Sequence, residues 1–478
     1  MNIPDDALYA LLDHALAGRG NETRQRALYH ALRQAILGGQ LRANSRLPGS
    51  RSMAQRLALA RNTVNAALDQ LTTEGFLLRT RQGSRVAALP RADISEPGPQ
   101  LSLPSRLARL PVPVARHSPS LAFTPGTPAV NYFPLPLWRR LLDKVLREEG
   151  SKLLGYGDSA GEGPLREAIA RHLALSRGIQ CDASQVVITE GALEGLNLCT
   201  HLLSEAGDTA WLEEPGYFGA RSAFLTAGLR LQGMPVDGEG IRFPSSVDVP
   251  PRLIFTSPSH QFPTGCLLSA ARRLALLAFA SRHGAWIIED DYDSEFRISG
   301  EPVPAMLGMV PHAPVVYLGT FSKTLFPSLR MGFMVLPAAL AAVAQPAIRA
   351  LLRGGHRTEQ RALAHFIEDG HYARHLAAMR RLYRKRQLAL REALAAELTL
   401  PYRILGGEGG MHLAVGIADI DDVQVVEQAA RHQLTPGALS RFYLDPQAAQ
   451  NGLVLGFGNT SASQFASGLR TLNRIMRG

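Results

Sequence analysis

Six short apolar runs, at 185–189, 209–212, 252–256, 285–288, 315–318 and 332–335, are separated by stretches long enough to hold a helix. Two of those stretches, 193–203 and 269–282, carry helical length and period. Short buried strands alternating with helices predict an α/β fold, a mostly parallel sheet covered on both faces. Sheets of this kind gather their chemistry in the loops at the carboxyl ends of the strands. The sequence has no internal repeat.

The charge is not spread evenly over the chain. Residues 23–88 hold eleven arginines and no lysine, opposed only by Asp69 and Glu74. About nine of the formal net charge of +10 therefore sits there, and the remainder is close to neutral. Counterion release lets such a segment bind phosphate backbones. Guanidinium forks also read guanine edges in a way that lysine does not. At 478 residues and 46% hydrophobic composition the chain can bury a large core in two or three domains. It has no apolar run of about 18 residues, and its N-terminus has acids where a secretory signal needs a basic start. A cytoplasmic protein without membrane partners is expected. Cys181, Cys199 and Cys266 are scattered without metal-ligand spacing and are read as buried thiols, with no metal site expected.

Within the basic segment, Leu28, Leu32 and Ile36 mark a helix that stops at Gly38 and Gly39. After the turn at Leu47, Pro48 and Gly49, Ser50 is placed to cap a short helix with Met53, Ala54 and Leu57 inward. A third helix turns Val64, Leu68 and Leu71 inward and Arg61, Asn62, Thr63 and Asn65 outward. Strand-like pieces at 76–79 and 85–87, joined across 81–84 with Gly83 at the tip, suit a wing. These elements make a winged helix-turn-helix head over 1–88. Seven prolines without periodicity mark a tether over 89–120, and the body spans 121–478.

The run from Leu47 to Arg51, the start of the third helix from Ala60 to Val64, and Glu74, Gly75 and Phe76 before the wing resemble the winged helix of GntR-type transcription regulators. The resemblance implies contacts to double-stranded DNA from Arg46, Ser50, Arg51, Arg61, Thr63, Gly83 and Arg85.

In the body, Lys323 follows the 315–318 run, flanked by Ser322 and Thr324 and followed seven residues later by Arg330. A lysine past a strand end suits a Schiff base to an aldehyde whose phosphate Ser322 and Arg330 hold. This segment resembles the cofactor-lysine motif of fold-type I aminotransferases, which use pyridoxal 5'-phosphate (PLP). Other motifs of that family follow in order. Tyr156 matches a tyrosine that reaches the phosphate of the neighbouring subunit, and Gly191, Ala192 and Leu193 match the phosphate-binding helix start. Tyr217 matches the aromatic stacked on the pyridine ring, Asp290 the partner of its nitrogen, and Tyr292 the donor to its oxygen. The resemblance also implies a smaller C-terminal α+β subdomain.

Two positions depart from that pattern. Phe262 stands before Pro263-Thr264-Gly265 where aminotransferases have an asparagine, and His260 and Gln261 are alternatives for its hydrogen bond or serve the structure. Val454 stands where an arginine usually clamps the substrate carboxylate; Arg221, Arg353, Arg403 and Arg441 are possible substitutes.

A GntR-type head joined to an aminotransferase-like body resembles the MocR subfamily of bacterial regulators. That resemblance implies a head-to-tail homodimer in which PLP, bound as an aldimine at Lys323, serves sensing. The effector is then an amine or amino acid, or PLP itself. The alternative is a working aminotransferase that carries a DNA-binding head.

Overall fold

A computed structural model describes residues 4–18, 20–81, 83–90, 104–108, 110–111, 121–298, 303–407 and 409–477. Most of the expected tether at 89–120, and Gln82 in the wing turn, lie outside the described residues. The chain divides into two compact units, 1–102 and 103–478.

The first unit packs four helices, α1 Asp5–Ala17, α2 Arg24–Leu37, α3 Ser50–Arg56 and α4 Arg61–Thr73, with a hairpin of β1 Leu77–Thr80 and β2 Gly83–Val86. Thr23 caps α2 by accepting from the Arg26 amide at 3.3 Å, and Gly38 ends it. Leu28, Leu32, Met53, Val64, Leu68 and Leu71 share one core, as their spacing predicts. Helix α1 was not foreseen; it adds Leu8, Tyr9 and Leu12 to that core, and Asp5 and Asp6 complement its N-terminal dipole. Ser50 is not the cap of α3: Gly49 holds that position in extended backbone and Ser50 is the first helical residue. The hairpin pairs Leu77 with Val86 through Thr80 with Gly83, so Gly83 is a strand residue at φ 115 rather than the tip of a loop.

The second unit contains β3 Val186–Thr189, β4 Thr209–Glu214, β5 Arg230–Asp237, β6 Gly240–Ile241, β7 Leu253–Thr256, β8 Trp286–Asp291, β9 Val315–Thr320 and β10 Gly332–Val335. They form one sheet in the order β3-β10-β9-β8-β7-β4-β5-β6. Strands β5, β4, β7, β8 and β9 run parallel to one another, whereas β10 is antiparallel to both β3 and β9 and β6 is antiparallel to β5. The carboxyl ends of β3, β4, β7, β8 and β9 therefore open on one edge, and β10 starts there. Strand β5 lacked a sequence signal because Gly233 and Pro235 interrupt it and its residues alternate between exposed and half-buried.

A second, antiparallel sheet, β11 Arg403–Leu405, β12 His412–Gly416, β13 Gly437–Ala438 and β14 Gly452–Gly456, has the order β11-β12-β14-β13. It packs with the helices His371–Glu397 and Ala462–Arg477 into a smaller C-terminal α+β layer. The segment entering the body is bound to this layer, with the Phe123 amide donating to Thr460 Oγ1 at 2.8 Å, and this delivers Pro125 and Gly126 to the open edge of the large sheet. Cys199 is buried, but Cys181 and Cys266 are only half-buried, a departure from the expectation for all three. Among the described residues, no helix is long and apolar enough to cross a membrane.

Candidate functional site

The open edge of the large sheet holds a cavity of about 330 Å³. Strand β9 runs straight into the single turn Phe321–Thr324, where the Thr320 hydroxyl accepts from the Ser322 amide at 3.2 Å and fixes the turn. That turn delivers Lys323 to the cavity, where its Nζ donates to the Gly126 carbonyl at 2.8 Å.

One end of the cavity is built for an anion. Gly191, at φ 87, caps the helix Ala192–Leu203, so that the first amides of this helix and Leu193 face the cavity. Arg330 adopts a left-handed conformation at φ 48 and donates to the Glu190 carbonyl at 2.9 Å. Its guanidinium lies so near Gly191 that a Cβ there would come within 3.6 Å of it. Ser322 also lines this cavity. A helix dipole, a guanidinium and a hydroxyl together suit a phosphate.

The other end is acidic. Asp290, near the carboxyl end of β8, is buried, and its Oδ1 has no hydrogen-bond partner among the described residues. Burial pushes its carboxyl up to about 8, helped by Asp291, Glu213 and Asp293, while Lys323 pulls the other way. Such an orphaned oxygen fits a ring N–H that arrives with positive charge. Tyr217 and Tyr292 line the same space. The ring of Tyr217 lies over Gly219, where a Cβ would stand 2.3 Å from its Cε1, so the glycine two residues on makes room for it. Tyr156 is 96% exposed and does not line the cavity of its own chain.

In the first unit, Arg46, Arg51 and Arg61 are exposed, and Ser50, Thr63 and Arg85 are half-buried. Arg85 donates to the Asn44 carbonyl at 3.0 Å, and Arg46 bridges to the Arg85 strand beside Gly83. The two acids of residues 23–88 are engaged within the unit. Asp69 pairs with Arg79, and Glu74 accepts from the Tyr29 hydroxyl at 2.6 Å and from Gln70 at 3.0 Å. The Tyr29 bond, with Gln70, holds the Glu74 carboxyl below its usual range.

Residues 24–86 match the family model for bacterial regulatory proteins of the gntR family, and residues 128–437 match that for aminotransferase class I and II. Over 466 residues, 94% of this chain and 92% of the relative, the sequence is 40% identical to the probable rhizopine catabolism regulatory protein MocR of Rhizobium meliloti. The chain belongs to the MocR subfamily of GntR-type transcription regulators. It is also 32% identical, over 90% of this chain and 91% of the relative, to the pyridoxine biosynthesis transcriptional regulator PdxR of Corynebacterium glutamicum. Among solved structures, the α-aminoadipate aminotransferase LysN of Thermus thermophilus, complexed with N-(5'-phosphopyridoxyl)-L-leucine, matches with TM-score 0.70 at 26% identity, over 79% of this chain and 97% of that one.

Where this MocR-type chain departs from the aminotransferase pattern, the structure separates the alternatives. Gln261 is taken up by its own loop: its Nε2 donates to the carbonyls of Pro215 at 2.8 Å and Phe262 at 2.7 Å, and its Oε1 accepts from Thr264. Phe262 forms the cavity wall instead, and neither Gln261 nor His260 reaches that surface. His260 stands behind Tyr292, at 2.9 Å from its hydroxyl. Val454 is buried in β14 against Ala414 and Leu439. Of the substitute arginines, Arg221 reaches the Tyr443 carbonyl, Arg441 pairs with Glu427 at 3.0 Å, and Arg353 and Arg403 are exposed. None of the four lines the cavity.

Proposed function

We propose that this regulator binds PLP in its body, residues 121–478, and that occupancy of the site controls DNA binding by the head, residues 1–88, through the tether at 89–120. The observation that carries this reading is the orphaned Asp290 oxygen in the same cavity as the Lys323 amine and the Gly191–Arg330 anion notch. When bound, the cofactor supplies an aldehyde for amine capture and an electron-accepting ring. Lys323 supplies the amine that anchors it. Asp290 keeps a proton on the ring nitrogen, Tyr217 covers the ring face, and Tyr292 donates to the ring oxygen. Ser322, Arg330 and the amides of Ala192 and Leu193 bind the phosphate. Tyr156, exposed in its own chain, serves the site of the second copy in a homodimer.

Arg46, Ser50, Arg51, Arg61, Thr63, Gly83 and Arg85 form the DNA-facing set of the head, which places the protein in the cytoplasm with the chromosome. The signal is PLP itself or an amine or amino-acid effector that competes with Lys323 for it. A ligand shifts DNA binding only as far as it prefers one state over the other. The relative named for pyridoxine biosynthesis regulation favours PLP as the signal.

A working aminotransferase is the second reading, favoured by the complete set of Lys323, Asp290 and Tyr292 around one cavity. Against it stands the absence, among the described residues, of an arginine lining the cavity other than Arg330, which serves the anion end. Borohydride reduction of the PLP-treated protein should fix the cofactor on Lys323, one of only four lysines in the chain. Label on another lysine, or none, refutes the cofactor reading. Turnover of amino donors with 2-oxoacids at about 1 to 1,000 per second would instead establish the enzyme.

A further inference from the structure

Behind the cavity wall lies a buried pair, His260 and Asp293, that the cofactor-binding set does not include. His260 Nδ1 is 3.0 and 3.1 Å from the two carboxylate oxygens of Asp293 and 2.9 Å from the Tyr292 hydroxyl. His260 and Asp293 are both buried. The backbone makes room for this pair: at Gly410, φ 72, a Cβ would stand 2.2 Å from His260 Cε1 and 2.5 Å from Asp293 Oδ2.

We infer that His260, held by Asp293, is a positioning residue that turns the Tyr292 hydroxyl proton toward the cavity. This rests on the PLP reading of that cavity. A carboxylate accepts and does not donate, so Asp293 assigns the proton of His260 to Nδ1. That N–H is shared between Asp293 and the Tyr292 oxygen, and the tyrosine cannot donate back to a nitrogen that already carries hydrogen. Its own hydrogen turns away from His260, into the space that Tyr292 lines. The arrangement compensates for a missing group. The asparagine of the aminotransferase pattern is Phe262, which meets Tyr292 edge to face at 5.9 Å and offers no hydrogen bond. Tyr292 is then the donor that remains for a ring oxygen, and His260 fixes the direction of its donation.

The other charged and titratable groups around the pair are known. Asp290 and Asp291 of β8 and Glu213 of β4 act on Tyr292. Lys323 and Asp291 act on Asp293, His412 of β12 packs on the His260 ring at 5.1 Å, and Arg177 and Arg297 border the space behind it.

The test is a pH titration of the visible absorption band of PLP bound to the full-length protein, with thermal melting as the check on folding. Tyr292→Phe removes a donor from an anionic ring oxygen, so the cofactor holds its proton longer and the midpoint rises, by about one pH unit. His260→Ala should raise it by at least half as much, and the double variant no further than Tyr292→Phe alone. Asp293→Asn, which removes the charge that fixes the proton on Nδ1, should move the midpoint in the same direction and serves if His260→Ala does not fold. His260→Asn, whose amide can donate to the tyrosine oxygen, should recover part of the shift. A purely structural role would lower the melting temperature or PLP affinity of these variants and leave the midpoint unmoved, and that result overturns the inference. A wild-type chain with no band dependent on Lys323 overturns the cofactor reading itself, and this inference with it.

Discussion

The two units use charge in opposite ways. In the head, most arginines of 23–88 stand at the surface while the two acids of that stretch, Asp69 and Glu74, are tied to Arg79, Tyr29 and Gln70. In the body the acids that matter are inside: Asp290, at one end of the cavity, is buried together with Asp291, Asp293 and Glu213, and Arg177 lies 2.8 Å from Asp291. A surface array suits a polyanion that stays outside and is screened by salt. A buried acidic cluster is costly unless paired, and it suits a small cationic group that comes in. The contrast teaches that one chain can carry two electrostatic environments suited to different ligands, because one is built at the surface and the other in the core.

The largest effect expected from breaking this contrast is at Lys323. Lys323→Ala should abolish the reducible visible band completely, while DNA binding by the head in the absence of any effector stays within a factor of a few by gel shift. Next is the head. Arg61→Ala should weaken specific operator binding by roughly 1–3 kcal/mol without altering the cofactor spectrum. An unchanged gel shift at matched salt would remove α4 from the role of reading helix.

A comparable effect on stability is expected at Asp290. Its folded carboxyl is raised to about 8, above the unfolded value of about 4, so the folded state holds the extra proton between these values. The contribution of Asp290 to the stability of the cofactor-free protein is therefore fully present below the unfolded value and is lost as pH rises through about 8. Asp290→Asn should flatten this slope and stabilise the cofactor-free protein by roughly 1–3 kcal/mol at the upper end, while weakening PLP retention. Melting curves across that window decide it: Glu213, raised to about 7 by burial, leaves a residual slope, and a slope unchanged by the substitution would place its origin outside Asp290. The smallest effect separates two arginines of the head. Arg51→Ala should lower the salt slope of DNA binding by about one, whereas Arg79→Ala, paired with Asp69, should lower it by less. Equal changes would show that the ion pair opens on DNA.

Some of this was legible because it is local. Leu28, Leu32 and Ile36 announce α2 by their spacing alone, and the apolar runs of β3, β4, β7, β8, β9 and β10 announce the sheet. The end of β9 followed by Ser322 and Lys323 has a chemical meaning within a few residues. Other features have no local signature. Ser50 is a good capping residue by type, yet Gly49 takes the cap because the backbone turns extended one residue earlier. Strand β5 is made by its neighbour β4, not by its own propensity. Nothing near His260 in sequence shows that it meets Tyr292 from behind rather than lining the cavity at the sheet edge; β7 and β8 had to be laid side by side first.

The sequence by itself determined the two bodies and the order of the site motifs, because periodicity, charge and turn residues act over short spans. Only the tertiary structure decided which of His260, Gln261 and Phe262 walls the cavity, where the substitute arginines end up, and that Asp290 is left with an unmet oxygen. Those outcomes depend on burial and on partners hundreds of residues apart, such as Lys323 and Gly126, and the packing of the whole body sets both.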